Sequence, residues 1–308
     1  MLRRNVYQVL KQRGFIHAVT SPESQFEEYL NRKPVTCYIG FDPTAESLHI
    51  GNLLQLICLK HMQNAGHQTI ALLGGATGLI GDPSGRSTER PSLVQSTIDH
   101  NINGITGCIN QVLGTVDHSD SPPVKVMNNH NWFKNVHLLD FLRDYGKLFK
   151  VQQMLNKNSV KSRMAPSTNP NSSEGISFTE FSYQLLQAYD FYHLYKEDQC
   201  TLQIGGSDQW GNITSGIQLI HRLLDPQSSA DETSEISNHF AYGLTLPLIT
   251  TTDGKKLGKS SSAPGAGIWL DPVKTKPYDL YQYFINLSDS DAKQFLPLFT
   301  FLELSDIN

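Results

Sequence analysis

Three groups of residues have the types and spacing to handle a phosphorylated ligand. His49 and Asn52 stand three apart in SLHIGN, just after Asp42-Pro43-Thr44 and at the head of an apolar run. At a helix N-terminus they would leave one turn together, beside unpaired N–H groups and the positive dipole end, a setting that attracts phosphate. Taken alone, such a pair also reads as an ordinary solvent-facing turn. Lys256 and Lys259 are three apart in DGKKLGKSS and are followed by Ser260. A glycine-broken cationic loop of this kind can close over phosphates and oppose charge that develops only in a transition state. A lone K-x-x-K turn is otherwise a solvated surface loop. Asp208 follows Gly205-Gly206 after the apolar run LQI. A carboxylate at a strand end suits the vicinal hydroxyls of a ribose.

A second chemistry is written in EFSYQLLQAYD. Tyr183, Gln187 and Asp190 fall at i, i+4 and i+7, which is one helix face. A phenol, an amide and a carboxylate need partners if buried, and they suit a small zwitterion with a phenol of its own. A partly exposed helix face is the plainer alternative. The stretch LLGGATGLIGDPSGRSTER, residues 72–90, is neither a P-loop nor a dinucleotide turn: Gly81 to Ser87 is one residue short and has arginine for lysine. Its glycines allow close backbone approach to a ligand. Asp82 would sit at the sheet's carboxyl edge, or simply form a turn before Pro83. Arg86 and Arg90, four apart, are placed on one helical face.

These residues need a scaffold, and the pattern supplies one. VTCYIGF reads as a buried strand, Ser47 to Ala65 as a helix with Ser47 as N-cap and Gly66 as its stop, and HQTIALLGG as the next strand. That is a βαβ unit, which implies a parallel sheet. Trp132 to Asn156 reads as helical, Phe178 to Lys196 again, and TLQIGG as a further strand, with LTLPLITTTDGKK closing the sheet region. RMAPSTNPNSSEG and DPQSSADETSEISN read as exposed loops. Beyond Pro277 the pattern is helical only. The fold class is α/β: a Rossmann-like parallel-sheet domain over residues 1–270, with a helical insertion at about 130–180, followed by the start of an all-helical domain over 271–308.

The chain has 308 residues, 39% of them hydrophobic, and a net charge of −4. No global basic field marks a non-specific nucleic-acid binder. Residues 143–163 are locally basic, with Arg143, Lys147, Lys150, Lys157, Lys161 and Arg163 against Asp144 alone. Cys37, Cys58, Cys108 and Cys200 are scattered, which favours a reducing compartment. No apolar run approaches the ~20 residues of a membrane span. The first 22 residues hold four basic residues and no acid, as an organelle-targeting remnant or an ordinary first helix would.

The order of these motifs along one scaffold carries a resemblance. SLHIGN is similar to the HIGH motif and KLGKS to the KMSKS motif of class I aminoacyl-tRNA synthetases. Together with YIGFDPTAESLHIGN, GGATGLIGDPSGR, FSYQLLQAYDF and GGSDQWGN, they resemble the tyrosyl-tRNA synthetases of bacterial and organellar type, from about Val35 to Leu302. The resemblance implies a tyrosine–tRNA ligase that uses ATP with Mg2+ and no prosthetic group. It implies that Tyr38 and Asp190 take the substrate phenol, and that Asp82, Tyr183 and Gln187 hold its ammonium. Gln203 would line the amino-acid pocket. Gln209 would face the carboxylate or α-phosphate, and Asp208 the ribose. Thr44 and His49 would contact the γ-phosphate, Lys256, Lys259 and Ser260 the pyrophosphate, while Gly40, Asp42, Gly51, Asn52 and Gly206 would complete the ATP site, with Arg86 nearby. The implied partners are tRNA(Tyr), L-tyrosine, ATP and a second copy of the chain, with Phe178 near that interface; no membrane is implied. The implied compartment is the mitochondrial matrix, or alternatively a bacterial cytoplasm. Three departures stand out: Asn52 for the last His of HIGH, Leu257-Gly258 for Met-Ser, and Ile39 where relatives often carry Cys. Relatives continue into a full helical domain, so the resemblance implies a shortened C-terminus. An RNA-binding scaffold or an unrelated nucleotidyl transferase remain alternatives at this level.

Overall fold

The computed structural model describes residues 5–86, 88–114, 121–164, 175–226, 240–250 and 267–307. Helix α1 (Val6–Gln12) leads through β1 (Ala18–Val19) and α2 (Glu23–Arg32) to β2 (Thr36–Phe41), α3 (Ile50–Asn64) and β3 (Gln68–Leu73). Then come α4 (Thr77–Ile80), α5 (Gln95–Leu113), β4 (Lys125–Asn128) and α6 (His130–Phe133). Three short helices, α7 (Leu138–Asp144), α8 (Val151–Leu155) and α9 (Asn158–Met164), precede α10 (Phe178–Asp198). The sheet is completed by β5 (Cys200–Gly206), α11 (Trp210–Leu224) and β6 (Tyr242–Leu246), before α12 (Pro277–Ile285) and α13 (Asp289–Phe299).

The six strands run in the order β1-β6-β5-β2-β3-β4. All neighbours are parallel except the β1–β6 edge. From β2 the chain steps outward to β3 and β4, then returns to β5 on the other side of β2. The crevice at the carboxyl ends of β2 and β5 is therefore the topological switch point, where open α/β sheets bind ligands. Period-two alternation decides what each side of that crevice presents. Cys37, Ile39 and Phe41 point into a core shared with α1, α3 and α5. Tyr38 points the other way, into a second core with Phe191 of α10 and Ile213 and Ile217 of α11. Tyr38 thereby faces α10, its ring 5.5 Å from that of Phe191.

The strands VTCYIGF, HQTIALLGG and TLQIGG fall where the pattern puts them, and Gly66 ends α3 at a left-handed φ of 81°. Three local expectations are corrected. Ser47 does not cap α3. Residues 48–50 instead pair with 268–270 (Ile50 N to Ile268 O 2.9 Å, Leu270 N to Leu48 O 2.8 Å), Ser47 Oγ accepts from Asp271 N at 3.1 Å, and the cap moves to His49. The helix expected over 132–156 breaks into shorter pieces, with a 3-10 turn over Gly146–Leu148. The segment carrying Arg86 and Arg90 is not helical; Arg90 Nε donates to Asp82 O at 3.1 Å, across Gly81 at φ 89°. Past residue 270, α13 buries Phe295 and Leu298 in the core that holds α1 and α3. Among the described residues, no helix is long and apolar enough to cross a membrane.

Candidate active site

At the switch point, Tyr38 of β2 and Gln203 of β5 are register partners, and both side chains are buried. Tyr38 OH and Gln203 Oε1 have no hydrogen-bond partner among the described residues. A buried polar atom left unpaired costs about 1–3 kcal/mol, so two deep in a ligand crevice point to a polar ligand. Across the second core stands Asp190. Its Oδ1 accepts from Trp132 Nε1 at 2.8 Å and its Oδ2 from Asn129 Nδ2 at 2.9 Å. Burial pushes this carboxyl up to about 8, against those two donors. Burial, and then the Asp190 charge, drive the Tyr38 phenol well above its ordinary value. A phenol and an acceptor carboxyl at the floor of one pocket match a ligand hydroxyl that both donates and accepts.

Nearer the mouth, the α10 stripe does what its spacing predicts. Tyr183 OH donates to Asp42 Oδ2 at 2.8 Å, and Thr77 Oγ1 donates to Asp42 Oδ1 at 2.8 Å. Burial raises Asp42 to about 6. Gly74 is required here, because a Cβ would lie 2.0 Å from Asp42 Oδ1. Gln187 Oε1 accepts from Asn212 Nδ2 at 3.0 Å, and the same amide lies 3.3 Å from Asp82 Oδ1 and 3.2 Å from Gln209 Oε1. Gln209 Nε2 donates to Asp82 Oδ2 at 2.6 Å, and Ser84 N to Asp82 Oδ1 at 3.0 Å. Asp82, Gln187, Gln209 and Asn212 thus form one network of acceptors and amides that suits an ammonium beside a carboxylate. Asp208 lies against this turn; a Cβ on Gly206 would come within 2.7 Å of its Oδ1.

His49 and Asn52 do not simply project side by side. His49 is the N-cap of α3 and its Nδ1 accepts from Gly51 N at 3.0 Å, while Asn52 Oδ1 accepts from His49 N at 3.2 Å. This reciprocal cap accounts for Asn52 where a histidine was expected. It also needs Gly51, since a Cβ there would sit 2.8 Å from the imidazole. With Nδ1 accepting, the neutral ring carries its proton on Nε2, a donor suited to phosphate oxygen. Thr44 is exposed, and its N–H is held by Asp42 O at 2.8 Å. Gly40 is exposed at the same strand end, and a Cβ there would meet open space. Asn52→Ala should cost about 1 kcal/mol of stability through the lost cap. Denaturant unfolding checks this, and an unchanged midpoint would contradict it.

Lys256, Lys259 and Ser260 lie outside the described residues. Four residues of the site went unread in the sequence: Asn129, Trp132, Thr77 and Asn212. Asn129 and Trp132 follow β4, a short strand with no clear alternation; the only available signal was the polar Asn128-Asn129 pair after it. Asn212 stands three residues beyond Gln209 in GGSDQWGN, a spacing that turns both amides inward. Two expected surface cations are corrected: Lys157 is half-buried and its Nζ donates to Thr214 Oγ1 at 3.1 Å. Arg163 is buried and donates to Glu180 Oε1 at 2.8 Å and Oε2 at 2.9 Å, tying α9 to α10.

The model of class I tRNA synthetases (W and Y) matches residues 30–308. A tyrosine–tRNA ligase of Flavobacterium johnsoniae is 46% identical over 305 residues, which is 99% of this chain and 65% of that protein. One from Hamiltonella defensa is 47% identical over 308 residues, 100% of this chain and 67% of that protein. The chain thus spans about two thirds of the length of these curated relatives. Among solved structures, a C-terminally truncated mitochondrial tyrosyl-tRNA synthetase of Aspergillus nidulans superposes with a TM-score of 0.81 at 31% identity, covering 99% of this chain and 82% of that one.

Proposed function

Because the chain belongs to the class I tRNA synthetases of the tryptophan and tyrosine type, we propose that it joins L-tyrosine to tRNA(Tyr) at the expense of ATP. The observation that carries tyrosine rather than tryptophan is the pocket floor: Tyr38 OH unpaired beside Asp190, whose two oxygens are fixed by Trp132 and Asn129. There the substrate phenol donates to Asp190 and accepts from Tyr38. Asp82, Tyr183 and Gln187 hold the ammonium, and Gln209 faces the carboxylate.

The tyrosine carboxylate attacks the α-phosphate of MgATP in line, forming the acyl–phosphate bond and releasing pyrophosphate. The terminal ribose hydroxyl of the tRNA then attacks the carbonyl and releases AMP. No covalent enzyme intermediate is needed; the protein contributes positioning and charge stabilisation. His49 and Thr44 meet the γ-phosphate, Lys256, Lys259 and Ser260 the departing pyrophosphate, and Asp208 the ribose. Gly40, Gly51 and Gly206 leave room for the nucleotide. Magnesium enters with ATP as part of the substrate.

Residues 271–308 begin a helical unit after the catalytic domain. The chain works as a homodimer, which is supported by apolar side chains exposed on the insertion and on α10: Phe178 is 80% exposed, Leu139 78% and Leu138 70%. The basic residues before position 22 favour the mitochondrial matrix, as does the mitochondrial origin of the Aspergillus neighbour. The bacterial relatives make a bacterial cytoplasm the alternative.

The acceptor arm docks on the exposed cations of the insertion. Arg163 and Lys157 leave that set: the first is buried with Glu180, and Lys157 Nζ donates to Thr214 Oγ1 at 3.1 Å. Arg143 is paired with Asp140 and Asp144. Lys147, Lys150 and Lys161 are exposed. Wild-type protein should transfer radiolabelled tyrosine to tRNA(Tyr). Lys147→Glu with Lys150→Glu should slow that transfer several-fold, more at low salt than at high, while adenylate formation is unchanged. Loss of both activities would contradict the surface assignment, and no transfer by wild type would contradict the function.

A further inference from the structure

We propose that His193 is a positioning residue for tyrosine selection: its ring fixes the plane of the Trp132 indole and, through it, the donor that orients the Asp190 carboxyl. The inference rests on the reading of Asp190 as the acceptor of the substrate phenol. Asp190 and His193 are three residues apart on α10, so they face the same way one turn apart. Between them they hold one indole from two directions. Asp190 Oδ1 takes the Nε1–H at the ring edge, at 2.8 Å. The His193 imidazole covers the ring face, with centroids 4.3 Å apart and planes 22° from parallel.

The face needs that cover. A groove of about 470 Å3 lies beside it, lined by Asn131, Asn135, Val136 and Lys196 together with Trp132 and His193. An edge hydrogen bond alone leaves an indole free to rock about its side-chain bond into such a space. The stack removes that freedom, and Nε1 stays aimed at Oδ1. The other carboxyl oxygen does not depend on His193. It is held by Asn129, whose own amide is fixed by Ala76 N at 2.7 Å and Thr77 Oγ1 at 3.0 Å. Losing His193 therefore loosens one of the two donors on Asp190 and leaves the pocket otherwise built.

The test compares His193→Ala with His193→Phe, which keeps a flat ring. Two readouts are measured. The first is the ratio of kcat/KM for tyrosine over phenylalanine in ATP–pyrophosphate exchange. The second is iodide quenching of Trp132 fluorescence in a Trp210→Phe, Trp269→Phe background. His193→Ala should raise the tyrosine KM and lower the selectivity ratio, each roughly tenfold, the weight of one loosened hydrogen bond to an acid. The KM for ATP should not move, and iodide quenching should rise. His193→Phe should restore all of these. If His193→Ala does not fold, His193→Gln carries the same contrast. Wild-type selectivity and quenching in His193→Ala would overturn the inference, as would failure of the phenylalanine to restore them. Asp190→Asn, measured alongside, separates the two readings. If it loses selectivity while His193→Ala keeps it, only the inference falls; if it keeps selectivity, the reading of Asp190 falls and the inference with it.

Discussion

Asp190→Asn is expected to lower the preference for tyrosine over phenylalanine in adenylate formation by roughly ten- to a hundredfold, with little change in the KM for ATP. Leaving a buried polar group without its partner costs about 1–3 kcal/mol, and tenfold in rate corresponds to about 1.4 kcal/mol. The amide turns one acceptor oxygen into a donor, so the phenol loses its acceptor, and phenylalanine is disfavoured only through the unpaired Tyr38 hydroxyl. The variant also has a pH signature. Asp190 is raised by burial to about 8 in the folded chain, against about 3.9 unfolded. Between those values the folded state binds the extra proton. The stability this contributes is complete below about pH 4 and is lost as pH rises through about 8. Asp42, at about 6, acts in the same sense over a narrower window. The variant has no such loss at this position, and its amide faces the two donors of Trp132 and Asn129 at a fixed cost. Its deficit against wild type should therefore be largest near pH 5 and shrink by pH 9. Thermal unfolding across that range reads the gap, and a gap that widens with pH would contradict the burial of an acid here.

His49→Asn should slow adenylate formation about a hundred- to a thousandfold while the tyrosine dissociation constant stays put. That is the usual weight of one donor aimed at charge that develops in the transition state. Asparagine can still accept from Gly51 N and cap α3, so the loss isolates the reach of Nε2 from the stability of the helix. Lys256→Ala and Lys259→Ala should behave alike, because the proposed mechanism sets both cations against the same departing pyrophosphate. The readout is the single-turnover rate with saturating tyrosine, beside tyrosine affinity by calorimetry. A wild-type rate in His49→Asn would remove His49 from the phosphate site, and an equal loss of affinity would mean that the pocket had collapsed.

The elements legible in the sequence share a physical cause. Tyr183, Gln187 and Asp190 announce themselves because a helix of 21 residues repeats its face faithfully. Strands β2, β3 and β5 are nearly unbroken apolar runs, as strands covered on both faces must be. What was hidden depends on contacts far apart in the chain. Nothing near Ser47 signals that its hydroxyl receives Asp271 N, 224 residues away, so the local pattern puts the cap of α3 two residues before His49. Arg163 looks like any surface cation until Glu180 closes on it. Asn129 and Trp132 were missed because β4 has only four residues, too few to show a period. Asn52 is the instructive case. The resemblance places it in the ATP site in spite of its departure from the HIGH pattern, and the structure gives it a backbone role as the reciprocal cap of His49.

The proposed role of this pocket is to activate tyrosine. ATP–pyrophosphate exchange by the purified wild-type chain tests it most directly, with tyrosine, phenylalanine, tryptophan or no amino acid supplied. Exchange should require tyrosine and be weak or absent with the other two. Exchange without an amino acid, equal exchange with phenylalanine, or none with tyrosine at saturating MgATP would contradict it.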